Sequence, residues 1–469
     1  MSVSEKMTAI ANEIRELNGV TEKLGLDAMA ENIDDANNEV ARQSDLLEQA
    51  IAELDGKVDP KLYDKGHADG YAEGYEKGLE FEPPTVYEKA VNFYDYDGTL
   101  IYSFTKEECL SLTELPKLPT QNGLVCQEWN WSLEGLQNYV SKYGRCSVGA
   151  TYITDNGATR FYITLKTNAQ LEFSIAFTQS FGTGVDIDWG DGSPVETIKQ
   201  LGRSNIAHTY AEIGSYIVSL MPADGDVLGI SWDTSNTNII GQYTTTAYQY
   251  KRSVVRRVEL GKNITSFGSY TLNSFPNLTN VTLPKAITHL GHYTIVTGAS
   301  TVILPKKVTS IGTYAFYAAA NIRNLIYSET PVLFPSAFAY GVTSLEKAYL
   351  PEGKTEIANQ AFQGCSSLVD IIIPDGITTI GTSAFNSCRS LSVIEFPSSI
   401  STIGNTAFSN CNGMRVYDFT KHTTVPTLAS ADVFTNIHAD CEIHVPANLY
   451  EDWISATNWS VYADKIKGV

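Results

Sequence analysis

Three phenylalanines, Phe362, Phe385 and Phe408, stand 23 residues apart, each inside the same short frame. The frames read Ala361-Phe-Gln-Gly-Cys365, Ala384-Phe-Asn-Ser-Cys388 and Ala407-Phe-Ser-Asn-Cys411, and prolines keep the same beat at Pro351, Pro374 and Pro397. A fixed period of this length signals a stacked array, in which a unit can bury its apolar face only against the next unit. The column extends upstream with some slippage through Phe316 and Phe338 and through Pro284 and Pro305, while Ser328 takes a proline position. Such arrays present surfaces more readily than they assemble catalytic groups, and that narrows the functions to weigh.

A representative unit runs Ser367-Leu-Val-Asp-Ile-Ile-Ile-Pro-Asp-Gly-Ile-Thr-Thr-Ile-Gly-Thr-Ser-Ala-Phe385. Its first half predicts a β-branched strand stopped by proline; its second half predicts a short strand and a tight turn that carries Ala-Phe into the core. Over residues 251–441 the pattern resembles the BspA-type leucine-rich repeat. The resemblance implies a curved, β-rich solenoid of the kind found on adhesins and other surface proteins. Residues 442–469 depart from the repeat and predict a final strand and a helix with Trp453 and Trp459 turned inward, the cap that hides the last apolar rung. Cys365, Cys388 and Cys411 occupy one position per unit and should form a line. Metal ligands must converge on a point, so the expectation is buried thiols packed beside the phenylalanines.

Upstream, residues 166–250 alternate strands with turns. Val185-Asp-Ile-Asp-Trp-Gly-Asp-Gly-Ser193 and His208-Thr-Tyr-Ala-Glu-Ile-Gly-Ser-Tyr-Ile-Val218 together resemble the PKD-type immunoglobulin-like domain, which implies a β-sandwich used as a spacer or binding module. Residues 85–165 predict a small α+β module. Within it, Ser132 caps a helix through Tyr143, and 150–153 with 160–165 are expected to form a hairpin turned at Asp155-Asn156-Gly157. Glycine at 66, 70, 74 and 78 marks residues 59–84 as a tether, or as a helix with a groove for another backbone. Residues 1–58 carry apolar positions three, four and seven apart, a coiled-coil-like helical segment that forms either an antiparallel hairpin or an oligomerising bundle, a homotrimer. The fold class is therefore multidomain and mainly β.

Composition removes several functions. The net charge of -20 opposes nucleic-acid binding, which needs clustered cations. The short basic cluster Lys251-Arg252 with Arg256-Arg257 reads as an edge-strand or domain-junction feature. No run of 18 apolar residues predicts a membrane span, and the start has no apolar signal region. The seven cysteines are expected as free thiols.

Two acidic constellations need weighing. Val91-Asn-Phe-Tyr-Asp95-Tyr-Asp97-Gly-Thr-Leu100 resembles motif I of the haloacid-dehalogenase phosphotransferases, which implies Asp95 as nucleophile, Asp97 as acid/base and a magnesium ion between them. The later acidic pair and the doubly wound sheet that this chemistry needs are not legible downstream, so a strand turning at Asp97-Gly98 is the expectation. Asp186, Asp188 and Asp191 could collect calcium, but their spacing fits turn-forming aspartates better. No catalytic residue, cofactor or metal is predicted, and the chain is expected not to be an enzyme. The Gly/Tyr tether and the Trp129-Asn-Trp131 segment look like phage-encoded proteins of gut bacteria. The order of segments then predicts a virion structural protein, a tail or head fibre. Residues 1–58 would dock on other virion proteins, and the distal domains would attach to host-surface glycan or protein. The alternatives are a bacterial surface adhesin and a phosphatase built on Asp95 and Asp97.

Overall fold

The computed structural model describes residues 90–223, 228–230, 253–275, 277–330 and 335–469. All belong to one compact unit, Tyr87–Val469. The expected helical segment 1–58 and tether 59–84 lie outside the described residues.

The solenoid is built by register. Parallel strands pair Asn324 with Lys347, Lys347 with Asp370, and Val393 with Val416, so the sequence period of 23 equals the offset from one rung to the next. A second ladder pairs Glu356 with Thr379 and Thr379 with Thr402 at the same offset. The turn between the ladders carries the phenylalanines inward. Phe362 and Phe385 stack at 5.4 Å with planes 1° apart, and Phe385 and Phe408 at 5.3 Å and 9°. Upstream, where the period slips, Phe316, Phe338 and Phe362 meet edge to face instead. The column also runs on to Phe434, 5.8 Å from Phe408, which the sequence period misses because this rung holds 26 residues.

The turns themselves hydrogen-bond between rungs. Phe362 N donates to Ala384 O and Phe385 N to Ala407 O, each at 2.8 Å. Aiming these groups along the axis requires left-handed residues on both sides of the phenylalanine, such as Ser383 and Ser387, or Thr406 and Asn410. The recurrent Ile-Gly has a steric cause. A Cβ on Gly404 would sit 2.5 Å from Thr382 N of the preceding rung.

Prolines follow most strands of the first ladder, as Pro305, Pro351, Pro374 and Pro397 do, and bring no N–H to it. A neighbouring module uses the polar groups left there. Strands β1 (Val91–Tyr94), β2 (Leu100–Phe104), β3 (Leu124–Trp129) and β4 (Cys146–Thr154) form a sheet in the order β2-β1-β4-β3, with helices α1 (Lys106–Leu110) and α2 (Leu133–Tyr143). Ser132 caps α2 as expected, and Gly144 ends it in the left-handed region. This α+β module folds back across the solenoid. Asn130 Nδ2 donates to Leu304 O (3.0 Å) and Tyr327 O (3.1 Å), and Tyr139 Oη donates to Leu350 O (2.9 Å). Arg145 binds Asp370 through two nitrogens, and Tyr349 and Ile372 join the module's core. A Cβ on Gly149 would meet Ile303 at 2.5 Å, so the approach is close.

The expected 150–165 hairpin is not formed. Chain direction reverses at Asp155–Gly157, but β4 pairs with β1 and β3, whereas β5 (Thr159–Leu165) pairs with β10 (Gly214–Pro222) and β12 (Val255–Glu259). The two strands belong to different sheets because each has an apolar face with a different core to join, so the module's sheet ends at Thr154 and not at residue 165.

Beyond β5, β6 (Glu172–Gln179), β7 (Val185–Asp188), β8 (Glu196–Ile198), β9 (Gly202–Thr209) and β11 (Leu228–Ile230) lie in two six-stranded sheets. Each sheet runs on into the first rungs of the solenoid, one through β12 and the other through β13 (Ile264–Phe267). Residues of both sheets and of the rungs share one buried cluster. The segment expected as a self-contained sandwich is thus continuous with the solenoid. Of the basic cluster, Arg256 and Arg257 sit on β12. That strand is interior to its sheet and not an edge, and it lies at the junction. Arg257 pairs there with Glu259 and lies over the Tyr162 ring at 5.4 Å.

The far end is closed as expected. Strand Glu442–Val445 leads into helix α3 (Tyr450–Ser455), and Trp453 and Trp459 are buried against Phe419 and Phe434. A last strand, Ile466–Gly468, adds a further parallel neighbour.

Two outcomes follow for stability. Phe385→Ala should cost about 3–5 kcal/mol, the usual effect of emptying an aromatic site in a rigid stack; a denaturant titration with a loss under about 1 kcal/mol would contradict a ladder held by its rings. Burial beside Phe419 and Trp453 pushes the His422 imidazole below its ordinary value of 6.5. The fold therefore favours neutral His422, so its contribution is complete above pH 6.5 and is lost as the pH falls. Between pH 7 and 5 the melting temperature of the wild type should drop more than that of His422→Leu; parallel drops would contradict the assignment.

Candidate binding surface

The residues singled out in the sequence do not converge. Asp95 is buried at the end of β1, accepting from Tyr96 N (2.8 Å) and from Gln121 Nε2 (2.5 Å). Asp97 is exposed and accepts from Thr99 N at 2.9 Å, while Gly98 takes a φ of 92°. Together they turn β1 into its antiparallel partner β2, a hairpin and not the strand-to-helix passage of a doubly wound sheet. Asp186 accepts from Thr197 across the β7–β8 pair, whereas Asp188 accepts from Gly190 N and Asp191 from Ser193 N, each closing its own turn. Asp191 also meets His208 Nε2 at 2.7 Å, and the bonds from Ser193 and His208 hold its carboxyl at about 2. His208 stacks on Trp189, and Tyr210 donates to Trp189 O, so the two stretches that carry the PKD resemblance do meet in space. Among the described residues, no group of three or more His, Cys, Asp or Glu could hold a metal ion.

The cysteine line is as expected. Cys365, Cys388 and Cys411 are buried, and their thiols reach Ala339 O, Phe362 O and Phe385 O at 3.2–3.3 Å. Burial pushes all three thiols upward, Cys411 to about 12. They are inert groups of the core.

The module covers the first ladder over the rungs from Leu304 to Asp370, so that stretch of the face is closed to a ligand. A cavity of about 10 Å³ at this seam, lined by Ser147, Asn324, Lys347 and Tyr349 among others, has room for one water and not for a substrate. The turn edge is different. At the left-handed position two residues before the inward side chain, which is Leu272, Ile295 or Phe316, successive rungs place Tyr270, Tyr293 and Tyr314. Their rings stack at 5.3 Å and 5.0 Å with planes 4° and 9° apart. Tyr317 stands edge-on to Tyr293 and Tyr314 and stacks on Tyr340 at 5.5 Å. Four of the five are half-buried, and Tyr317 is 37% exposed.

These rings differ from several tyrosines that are tied into the fold by their hydroxyls. Tyr139, Tyr143, Tyr162, Tyr210 and Tyr349 all donate to a carbonyl or carboxylate. The hydroxyls of Tyr314, Tyr317 and Tyr340 make no hydrogen bond among the described residues. Nor does the solenoid need aromatic groups on this edge. Later rungs place Gln360, Ser383 and Thr406 at the same left-handed position.

The sequence led to the expectation that tyrosines supply the contact, but aromatic periodicity was read only as core and this edge was not located. The signal was present as a triplet, Gly268-Ser-Tyr270, Gly291-His-Tyr293 and Gly312-Thr-Tyr314, on nearly the same period as the phenylalanines.

Residues 234–339 and 333–450 match the family described as BspA type leucine rich repeat region, in six copies. No curated protein matches the chain. Among solved structures, a leucine-rich repeat protein from Bacteroides ovatus is similar at 21% identity, over 48% of this chain and 55% of that one, with a TM-score of 0.37. A leucine rich cell surface protein from Faecalibacterium prausnitzii is similar at 21% identity, over 42% of this chain and 60% of that one, with a TM-score of 0.28. A leucine-rich repeat protein from T. pallidum aligns at 18% identity, over 48% of this chain and 79% of that one, with a TM-score of 0.22. The alignments thus span only part of the first two proteins.

Alkylation tests the buried thiols. Iodoacetamide at pH 8 should leave Cys365, Cys388 and Cys411 unmodified in the native protein and modify all three in denaturant, as read by peptide mass spectrometry. Native labelling at the rate of a free thiol would contradict their place in the core.

Proposed function

We propose that this chain, which carries a BspA-type leucine-rich repeat region in its carboxy-terminal half, is an attachment protein of the adhesin type that acts by binding and not by catalysis. The observation that carries the reading is the tyrosine edge, a run of stacked, half-exposed rings on a rigid solenoid. Aromatic side chains with a wet edge are what recognition surfaces are made of, because they offer large contact area at small entropic cost. Asp95 and Asp97 act as turn residues, and the phosphatase alternative has no further acidic partner to draw on among the described residues. The seam at β12 and the docked module give the edge a stiff support.

A virion fibre is a second carrier for the same surface. What favours it is the sequence of residues 1–84, an apolar helical seam followed by a glycine tether, which suits a homotrimeric foot docked on other virion proteins. In this form the host surface is the target and the virion is the site of the protein. Mass spectrometry of purified virions separates it from a cell-surface protein.

The test is direct. Fluorescently labelled full-length protein, added to a panel of bacterial and cultured epithelial cells, should bind at least one cell type saturably and be displaced by unlabelled protein. Binding that is absent throughout, or that never saturates, would contradict an attachment role.

A further inference from the structure

The geometry points to an extended, neutral polysaccharide as the ligand of the tyrosine edge, its chain lying along the solenoid axis. This rests on the attachment reading and narrows it to one ligand class.

Charge is the first argument. The segments that carry or flank the rings, residues 268–280, 291–305, 312–322 and 335–345, contain no Asp, Glu, Lys or Arg, although such residues make up 18% of the chain. A polyanion would find no cation there and would meet a net charge of -20. A charged peptide would find no partner for its ion pairs.

The second argument is the chemistry on offer. A sugar ring presents C–H bonds on its faces and hydroxyls around its rim. A tyrosine answers both with one side chain, an apolar body and a polar tip. The hydroxyls of Tyr314, Tyr317 and Tyr340 are uncommitted among the described residues, so they can exchange hydrogen bonds with a ligand without breaking any in the protein.

Repetition is the third. The rungs repeat the same backbone position along one edge, and the track continues past the rings as Gln360, Ser383 and Thr406, with Ser383 Oγ and Thr406 Oγ1 2.8 Å apart. A periodic row of neutral groups suits a periodic polymer. Each rung adds one weak contact, and the contacts accumulate because a bound unit holds its neighbours near the next rung.

The chain itself supplies the test variant. Tyr293→Ser and Tyr314→Ser copy what later rungs carry at that position, so the double variant keeps a backbone the fold already accepts. The full chain is run in native gels containing a soluble 1,4-linked glucan, a 1,4-linked xylan or a 1,4-linked mannan, whose residues keep the vicinal diols that periodate cleaves, with heparin as a polyanion. At least one neutral polymer should retard the wild type and heparin should not. The double variant should bind about tenfold more weakly or worse, as expected on losing aromatic anchors, with an unchanged melting temperature. A second variant, Tyr317→Phe with Tyr340→Phe, keeps every ring and removes two hydroxyls; it should also bind more weakly. Retardation by no neutral polymer, retardation by heparin alone, or equal retardation of wild type and either variant would overturn the proposal. Cells separate this from the broader reading. Periodate treatment, which destroys sugar diols, should abolish binding of the labelled protein. Binding that survives periodate and is lost after protease would sink the polysaccharide and leave attachment standing, whereas no binding to untreated cells sinks both.

Discussion

Everything in this chain depends on a rung meeting its copy one period later. A parallel strand of two or three residues cannot hold itself in place, and neither can a turn with left-handed residues on both sides of one ring. Stacked, they satisfy each other. The strand of one rung supplies the acceptors for the next, the turn N–H groups point along the axis, and the phenylalanine rings close the interior at 5.3–5.4 Å in the regular stretch. The cost of the strained turn is met at every rung by the contacts that the strain permits. For that reason a glycine whose Cβ would strike the backbone below can be predicted from the repeat, and for the same reason the array needs an end. Trp453 and Trp459 supply it by packing over Phe419 and Phe434 at the end of the aromatic column.

The solenoid is also a support for other parts of the chain. Proline follows most strands of the first ladder, with Ser328 in its place in one rung, and carbonyls at these strand ends become docking points for Asn130, Trp131 and Tyr139 of the module. Tyr349 and Ile372, which belong to rungs, complete the module's core. At the other end of the described segment, two sheets flow into the first rungs. The sequence order suggested domains in a row, but the described residues form a single unit in which the α+β module lies against rungs about 200 residues later in the chain. Part of one face, from Leu304 to Asp370, is consumed by that contact.

Much of this was legible beforehand. Period, capping tryptophans, the Asp97-Gly98 turn, the Ser132 helix cap and the buried cysteine line all follow from local chemistry or strict spacing. What was lost has physical causes. Docking of the module is written in ordinary core residues far apart in sequence, yet Asp370-Ile371-Ile372-Ile373 was a clue, since an unbroken apolar run means a strand covered on both faces. The 150–165 hairpin was misassigned because a tight turn fixes chain reversal but not pairing, and the two strands bury their faces in different cores. Phe434 escaped because an insertion lengthens its rung. Tyrosines were expected to supply contact, but their stacking on the turn edge escaped because an aromatic period was credited to the interior alone.

Hydrogen–deuterium exchange of the full chain, with and without the polysaccharide that retards it, would measure where a ligand sits. The account predicts slower exchange in the turn segments around Tyr270, Tyr293, Tyr314 and Tyr340, with no change in strands 324–326, 347–349 and 370–372 beneath the module. Protection confined to the cap, or to the loops around Asp191 and His208, with the tyrosine turns unchanged, would contradict it.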